Sequence, residues 1–513
     1  MFGGSRPMTG YVVTDIPTFV AGSLLPPAVF DVRQFFVSRG LRAFLVGGAV
    51  RDALLRRKTD DLDVAVESTG PGLLELAQNL ADVLDGRYVL LHHEMGAARV
   101  ILPNGPVIDL IAAPHGIAPD LGRRDFTVNA MAVSLDEMVS SDIGIDVIDL
   151  HDGRADLAAG VLRAVSPEAF DDDPVRLIRA PRFAAQLRLT VSEDTRSVIR
   201  SKAKMLERSS PERVRDELLK IFAAPRVTES IRTLDDLGLL SIVIPELDAA
   251  RDVSQPKEHY WDVFNHCVET VGKVEAILSP SRDDQDWALS FVPTFPDMDS
   301  YFEERISDGH SRSTLVRLSG LVHDIAKPAT KTREENGRIR FLGHHKVGAE
   351  VVDEILERLR FGTRGRQFVS GLVRHHLRPK QMAEPGAMPS RRALFRYYRE
   401  VGDAAIATLY LNMADYLAAR GPLLERDEWR EHCDLMAYIL NATFETPAAP
   451  RLINGSDVMD EFGIGPGPLV GKLLNAVAEA QAADEVETRD DAMRLVSRML
   501  ETETVNANGR LGE

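Results

Sequence analysis

Two aspartates separated by one residue are the first groups in this chain with a spacing suited to chemistry. Asp61 and Asp63 open an apolar segment that is predicted to be a β-strand. Side chains two residues apart on a strand share one face, so both carboxylates point the same way at its start. Paired carboxylates suit Mg²⁺. An isolated pair is more often a solvated beginning of a strand, so the pair needs support from its surroundings.

The neighbouring sequence supplies that support. Leu45 and Val46 end a predicted strand that runs into Gly47 and Gly48 and then into a predicted helix. In such a turn, backbone N–H groups can approach a phosphate. Asp109 lies in another, otherwise apolar, predicted strand. A charged residue in that setting requires a metal or a cation, so Asp109 is a third acidic candidate.

A second set of residues is suited to holding metal ions further along the chain. Its members, in sequence order, are His266, His323, Asp324, His344, His376 and Asp415. Imidazole nitrogens and carboxylate oxygens bind divalent metals, and an adjacent His-Asp pair can bridge two ions. A lone histidine is usually a core or surface residue, so the prediction rests on the whole ordered set. His345 and His375 flank two of its members, which leaves register errors of one residue open.

Length and composition limit the possible classes of protein. The chain has 513 residues, 44% of them hydrophobic, with 61 Lys and Arg against 78 Asp and Glu, giving a net charge of −17. At about 100–200 residues per domain, three or four domains are expected. Two cysteines are too few for a disulfide framework. Because no signal peptide or membrane anchor is convincing, the predicted location is the cytoplasm.

The paired aspartates fall in a segment of mixed strands and helices. Its predicted elements are strands Ala43–Val46, Asp61–Val66, Tyr88–His92, Ala98–Leu102 and Val107–Ile111, with an amphipathic helix at Leu73–Leu84. From about Asp173 onward the pattern is helical almost throughout.

Charge is distributed unevenly within the helical part. Residues 174–226 carry 13 Lys and Arg against 6 acids, which predicts a surface for a polyanion. Residues 279–312 carry 8 acids against 3 arginines and are predicted to be a solvated loop inserted between helices.

Four motifs in order resemble the class II tRNA nucleotidyltransferase and bacterial poly(A) polymerase superfamily. They are the Gly-Gly turn with Arg51-Asp52 and the Asp61/Asp63 pair, then Arg123–Ala132, Asp172–Ala185 and Ser210–Val214. The resemblance implies attack by an RNA 3′-hydroxyl on the α-phosphate of a nucleoside triphosphate. It also implies that Asp61 and Asp63 hold Mg²⁺ and that Asp109 completes the catalytic acids.

The resemblance further implies a set of nucleotide-binding residues. Arg123 and Arg124 meet triphosphate and ribose, whereas Asp172, Asp173 and Arg176 select the nucleobase. The other expected members of the set are Gly47, Gly48, Arg51, Asp125, Asn129, Arg179 and Arg182.

Base selection can also be argued from chemistry. C and A each present an exocyclic amine beside a ring-nitrogen acceptor, whereas U and G place a carbonyl where that amine would be. A carboxylate accepting from the amine and a guanidinium donating to the ring nitrogen therefore choose C and A together. The i, i+3 spacing is expected to put Asp173 and Arg176 on one helical face. The family commonly begins this motif with Glu, so Asp172 is one methylene shorter.

The later histidines and aspartates resemble an HD-type metal-dependent phosphohydrolase domain, with residues 321–328 as its central signature. The predicted fold class is α+β: a small mixed-sheet, polymerase-β-like nucleotidyltransferase head followed by helices. The predicted domains are a head (1–165), a helical neck that selects the base and binds RNA (166–250), an HD domain with a divalent metal of unknown identity (251–440) and a helical tail (441–513).

The implied activity is addition of C and A to the tRNA 3′ end from CTP and ATP. Three alternatives within the family remain: CC-only addition, A-only addition and poly(A) synthesis. Outside it, the alternatives are an HD phosphohydrolase with an inactive head and a non-catalytic RNA-binding protein. Many CCA-adding relatives carry a longer loop where this chain has residues 110–122, so that short connection favours CC-only addition. The sequence leaves the oligomeric state and the HD substrate open.

Overall fold

The structure is a computed structural model that describes residues 19, 24–103, 105–138, 144–282, 285–384, 386–445 and 450–509. The chain divides into two compact units, Met1–Val243 and Ile244–Glu513. None of the helices in the described residues is long and apolar enough to cross a bilayer. The predicted four-domain division stays a prediction.

The first unit combines a mixed sheet with helices. Its strands are β1 (Ala43–Val46), β2 (Asp61–Val66), β3 (Arg87–His92), β4 (Ala97–Ile101), β5 (Val107–Ala112), β6 (Met131–Ser134), β7 (Ile148–Asp149), β8 (Val161–Leu162) and β9 (Thr190–Val191). Its helices are α1 (Ala28–Val37), α2 (Gly48–Leu54), α3 (Gly70–Val83), α4 (Ile117–Gly122), α5 (Gly153–Ala159), α6 (Ala169–Asp172), α7 (Arg176–Leu187), α8 (Glu193–Lys202), α9 (Pro211–Ala223), α10 (Val227–Asp236) and α11 (Leu240–Val243).

Across the described residues, the main sheet has seven strands in the order β3-β4-β5-β2-β1-β6-β7. The β2–β5 pair is parallel, whereas β4–β5 and β1–β2 are antiparallel. The five predicted strands and the amphipathic helix are present with ends shifted by no more than a few residues. A mixed sheet followed by helices confirms the predicted α+β class. Strand β2 is exposed at Asp61 and buried from Val64 to Val66, so its apolar end anchors it while its polar end faces solvent.

The second unit is mainly helical. Its helices are α12 (Val263–Ile277), α13 (Trp287–Ser290), α14 (Met298–Glu303), α15 (Arg312–Val322), α16 (His344–Arg358), α17 (Thr363–His375), α18 (Arg378–Gln381), α19 (Arg391–Val401), α20 (Ala405–Arg420), α21 (Arg426–Glu445), α22 (Gly455–Phe462), α23 (Pro468–Ala482) and α24 (Arg489–Gly509). Two small hairpins pair β10 (Arg305–Ser307) with β11 (His310–Ser311), and β12 (Lys331–Arg333) with β13 (Ile339–Phe341).

The prediction that residues 279–312 form a solvated loop is wrong for most of the segment. Helices α13 and α14 and strands β10 and β11 lie within it, and Phe302 and Ile306 are buried. Arg312 is only 2% exposed because its guanidinium pairs with Glu304 and Asp403. The many acids and prolines of the segment indicated a solvated loop, but apolar side chains between them are buried and anchor the segment. Residues 283 and 284 of this segment lie outside the described residues.

Candidate functional site

Three carboxylates share one region of the main sheet. Asp63 on β2 lies directly opposite Asp109 on the parallel strand β5, and Asp61 lies two residues earlier on the face of Asp63. Burial raises the pKa of Asp63; Arg124 opposes that shift, whereas Asp109 and Asp61 add to it. The three carboxylates therefore repel one another in a partly desolvated region of the sheet. A bound cation would reduce this repulsion.

Asp109 has a cation partner that sequence analysis missed. Arg99, opposite it on β4, donates from Nε to Asp109 Oδ1 at 2.7 Å and from Nη2 to Oδ2 at 2.8 Å. This bidentate contact fixes the plane of the Asp109 carboxylate. Only the register between β4 and β5 brings the pair together, and a single sequence does not give that register.

The glycine turn lies against the same carboxylates. Gly47 follows β1 with φ +69°, and a Cβ there would be 3.1 Å from Asp63 Oδ2 and 2.7 Å from Arg124 Nη1. Arg124 also donates from Nε to Asp120 at 3.0 Å. Gly47 thus permits both the left-handed backbone and the close approach.

We expect Gly47→Ala to lower nucleotide addition about a hundredfold, because the new methyl group displaces Asp63 or Arg124 from its position. Gly402→Ala is the matched control: Gly402 has a similar backbone conformation, with φ +61° and ψ −133° against +69° and −129° at Gly47, but a Cβ there meets nothing within 4 Å. Both variants carry similar backbone strain and are expected to lose similar thermal stability. Equal activity of the two variants would contradict the role given to the close approach.

Four of the predicted nucleotide-binding residues form a buried chain of contacts. Arg51 Nη1 donates to Asn129 Oδ1 at 2.5 Å, and Asn129 Nδ2 donates to Asp125 Oδ1 at 3.1 Å. Arg179 Nη1 lies 3.2 Å from Asp125 Oδ2. Burial acts to raise the pKa of Asp125, but Arg179 and the Asn129 hydrogen bond bring it below its usual value. In this arrangement these residues brace α2 and α7 against the turn that follows Asp125.

Arg182 is likewise engaged within the protein, with Nη2 3.3 Å from Glu217 on α9. The contact joins α7 to α9 and therefore supports the helices that carry the base-selecting motif. The nucleotide-binding role expected of Arg182 stays a prediction.

The residues expected to select the base lie together, but not on one helix. Asp173 follows α6 with extended backbone, φ −150° and ψ 93°, so the predicted shared helical face is wrong. The reason is Pro174, because a residue before proline is disfavoured in the helical region. Arg176 Nε nevertheless lies 3.9 Å from Asp173 Oδ2. Asp172 ends α6, with Oδ2 3.9 Å from Arg123 Nε.

Both groups of this pair are held in place by further contacts. Arg176 Nη1 donates to the carbonyl oxygens of Arg123 at 2.7 Å and Ala169 at 3.0 Å. Asp173 Oδ2 accepts from Arg213 Nη2, on α9, at 2.7 Å. Arg213 belongs to the motif Ser210–Val214, for which the resemblance implied no role in base selection.

We expect Arg176→Ala to lose roughly tenfold or more of the preference for C and A over U and G, with a smaller effect on triphosphate binding. The reason is that the ring-nitrogen acceptor of the base loses its donor. Competition between CTP and UTP in single additions measures the preference. Arg200→Ala is the control. Arg200 lies on α8 of the same unit and also forms an ion pair, with Nη2 2.8 Å from Asp236 Oδ2. An unchanged preference would reduce Arg176 to a structural ion-pair partner.

The second unit gathers all six predicted metal ligands into one buried cluster. They come from α12 (His266), the residues following α15 (His323, Asp324), the start of α16 (His344), the residue following α17 (His376) and α20 (Asp415). Their ligand atoms form three overlapping groups, each within 4.8 Å. His266 Nε2, for example, lies 3.0 Å from Asp415 Oδ1 and 3.4 Å from Asp324 Oδ2. His345 and His375 are not in these groups.

Backbone carbonyls orient three of the histidines. Nδ1 lies 2.9 Å from Gly320 O in His323, 2.6 Å from Phe341 O in His344 and 2.7 Å from Val373 O in His376. A carbonyl oxygen can only accept, so Nδ1 carries the proton and Nε2 is left to bind a metal.

The donor set fits a divalent metal. His266 Nε2 and His323 Nε2 lie 3.2 Å apart, and His344 Nε2 is buried with no hydrogen-bond partner among the described residues. Two imidazole nitrogens this close must share a proton or a metal ion, and the carboxylates beside them provide further ligands for a metal. Lys327 is part of the surroundings that sequence analysis missed, with Nζ 2.5 Å from Asp324 Oδ2. Burial alone would raise the pKa of Asp324, but His323 and Lys327 hold it well below its usual range.

Three family models match the chain. The Poly A polymerase head domain matches residues 43–110 and 109–163, the probable RNA and SrmB-binding site of polymerase A matches 188–251, and the HD domain matches 300–420. Among curated relatives, an A-adding tRNA nucleotidyltransferase of Deinococcus radiodurans is 35% identical, covering 90% of this chain and 96% of that protein. A CC-adding tRNA nucleotidyltransferase of Thermus thermophilus is 31% identical, covering 88% and 92%.

A solved structure with a similar fold is the Thermotoga maritima CCA-adding enzyme complexed with tRNA. It is 20% identical, with a TM-score of 0.57 over 93% of this chain and 97% of that chain. A CCA-adding enzyme with CTP has a TM-score of 0.59 at 21% identity, covering 93% and 96%.

The mixed-sheet head and the HD region thus define a nucleotidyltransferase with an HD domain. Within that class, the chain belongs to the tRNA nucleotidyltransferase and poly(A) polymerase family.

Proposed function

We propose that the chain adds C and A residues to the 3′ end of tRNA, using CTP and ATP with Mg²⁺. The observation that carries the proposal is the pairing of Asp173 with Arg176 in the same unit as the three sheet carboxylates. That combination supplies a metal-binding acid set for nucleotidyl transfer and a donor–acceptor pair for C and A. The names of the relatives, which include A-adding and CC-adding enzymes, support the same substrate.

The residues of the chain divide the reaction between them. Asp61 and Asp63 would hold Mg²⁺, which when bound activates the attacking 3′-hydroxyl and stabilises the departing pyrophosphate. Arg124 lies beside Asp63, and this proximity supports a role for it in contacting the triphosphate. The Arg123 side chain is 71% exposed and therefore accessible to a nucleotide, while its carbonyl oxygen holds Arg176.

Base selection follows from the fixed positions of one acceptor and one donor. Asp173 accepts from the exocyclic amine of C or A, and Arg176 donates to the ring nitrogen beside it. Because two carbonyl oxygens and Arg213 hold these groups, U or G leaves a carbonyl facing a carboxylate, which costs a hydrogen bond.

A second candidate, CC-only addition, is favoured by the connection after β5. The strand continues to Ala112 and α4 begins at Ile117, which leaves four residues between them. Ala113 N donates to Val66 O at 2.7 Å, so the connection is tied to the end of β2. Because the connection contains no arginine, it offers few groups that could shift Asp173 and Arg176 from a position that fits CTP to one that fits ATP.

The experiment compares ATP incorporation onto a CC-ended tRNA with CTP incorporation onto a tRNA that lacks CCA. Rates within about fivefold, a barrier difference near 1 kcal/mol, support full CCA addition. An ATP rate lower by orders of magnitude supports CC-only addition. Rapid ATP addition with no CTP addition on any end would instead point to A-only addition, and long A runs to poly(A) synthesis.

We also propose that the HD region hydrolyses phosphoesters with a divalent metal. The buried cluster of four histidines and two aspartates supports this proposal.

The two cysteines, Cys267 and Cys433, are buried and unpaired, which fits a reducing compartment, and we propose the cytoplasm.

A further inference from the structure

We propose that Arg99 is a positioning residue for nucleotide addition: it orients Asp109 toward Asp63 and, by its charge, lowers the affinity of the three carboxylates for divalent ions. The inference rests on the proposed function of the head. Asp63, Asp109 and Arg99 are direct partners across β2, β5 and β4, so their side chains form one row on the sheet.

The geometry explains the positioning. Arg99 contacts both oxygens of Asp109, at 2.7 and 2.8 Å, which removes the rotation of the carboxylate about its last bond. Each oxygen keeps a second lone pair, so Asp109 can bind a metal while it holds Arg99. Without Arg99, the Asp109 carboxylate would no longer be held in one orientation, although a bound metal ion would still attract it.

The charges explain the effect on affinity. Asp61, Asp63 and Asp109 together carry three negative charges, and the Arg99 guanidinium, which contacts both oxygens of Asp109, brings one positive charge to the same face of the sheet. Neighbouring strands lie about 5 Å apart, so a metal ion at the acids lies close to the guanidinium and is repelled by it. Removing this positive charge should therefore tighten metal binding.

A purely structural ion pair is the alternative explanation. The Arg99 side chain is 41% exposed and that of Asp109 is 32% exposed. Ion pairs with this exposure contribute little to stability. Stability therefore gives little reason for an arginine beside the catalytic acids, whereas orientation and charge act directly on the site.

The test uses the full-length protein and Mn²⁺ alone, followed by electron paramagnetic resonance without nucleotide. The Asp63→Asn isotherm is subtracted so that only the head site is counted. Arg99→Met should bind Mn²⁺ roughly tenfold more tightly, and kcat for CTP addition should fall with little change in KM. Arg99→Lys keeps the positive charge but loses the bidentate contact with Asp109. Its Mn²⁺ affinity should therefore stay within about twofold of wild type, while kcat falls. Arg87→Met is the matched control, since Arg87 lies on the edge strand β3 of the same sheet.

Unchanged Mn²⁺ affinity in Arg99→Met, or an equal change in Arg87→Met, would overturn the charge effect. Full kcat in both Arg99 variants would overturn the positioning role. Failure of the proposed function has a different signature: wild-type protein would add no nucleotide, while the change in Mn²⁺ affinity would persist.

Discussion

Asp61→Asn and Asp63→Asn should each abolish nucleotide addition while the protein stays folded. We expect turnover to fall by more than about a thousandfold, roughly 4 kcal/mol of barrier, because each change removes an oxygen ligand for Mg²⁺. Asp63 gives a second readout. Because burial raises its pKa, the ionised carboxylate costs stability at neutral pH, and this cost disappears as the pH falls below the pKa in the folded state. Asp63→Asn should therefore melt no lower than wild type at pH 7.

Single-turnover CTP addition and thermal unfolding are the two measurements. Asp82→Asn is the control, since Asp82 is exposed on α3 of the same unit. Either catalytic variant retaining more than about a tenth of wild-type turnover would remove the assignment. A large fall in melting temperature would mean that the loss of activity reports unfolding.

Substitution of the HD cluster should have the opposite pattern. His323→Ala or Asp324→Asn is expected to remove metal-dependent hydrolysis of a phosphomonoester or a 2′,3′-cyclic phosphate, with at least about a hundredfold loss. The reason is that both residues contribute to the overlapping ligand groups. Nucleotide addition should survive, because the residues proposed for it lie in the first unit and the HD cluster lies in the second. Bound metal, measured after dialysis, should fall in the same variants.

His375→Ala is the matched control, since His375 adjoins His376 in sequence but is absent from the ligand groups. It should keep both the metal and the hydrolysis. If wild-type protein hydrolyses neither ester with Mg²⁺, Mn²⁺, Co²⁺ or Ni²⁺, the HD region is a structural or RNA-holding element.

Local patterns predicted much of the head. Asp61–Val66 is apolar after its aspartates, and the structure begins and ends β2 at those residues. The otherwise apolar strand around Asp109 indicated a metal or cation partner, and the resemblance implied that Asp109 completes the acids; in the structure it is the register partner of Asp63. Such predictions succeed where periodicity and burial act within a single element.

Contacts between elements were less accessible. Arg99 meets Asp109 only because β4 pairs with β5 in one register, and nothing local to Arg99 indicates it. Pro174 alone predicts that Asp173 lies outside a helix. The i, i+3 spacing of Asp173 and Arg176 predicts a shared helical face only if no proline follows the first residue. For the metal cluster, residue order was sufficient because six ligands in sequence make accidental agreement improbable.

The central claim is selective addition of C and A to a tRNA end, and one measurement tests it most directly. Each of the four nucleoside triphosphates is supplied separately, with Mg²⁺, to tRNA lacking CCA, C-ended tRNA, CC-ended tRNA and an unrelated RNA, and the 3′ ends are sequenced. We expect C on the first two tRNAs, A on the CC end, no U or G, and no extension of the unrelated RNA. Long A runs on every RNA, or no incorporation of C and A at any tRNA end, would contradict it.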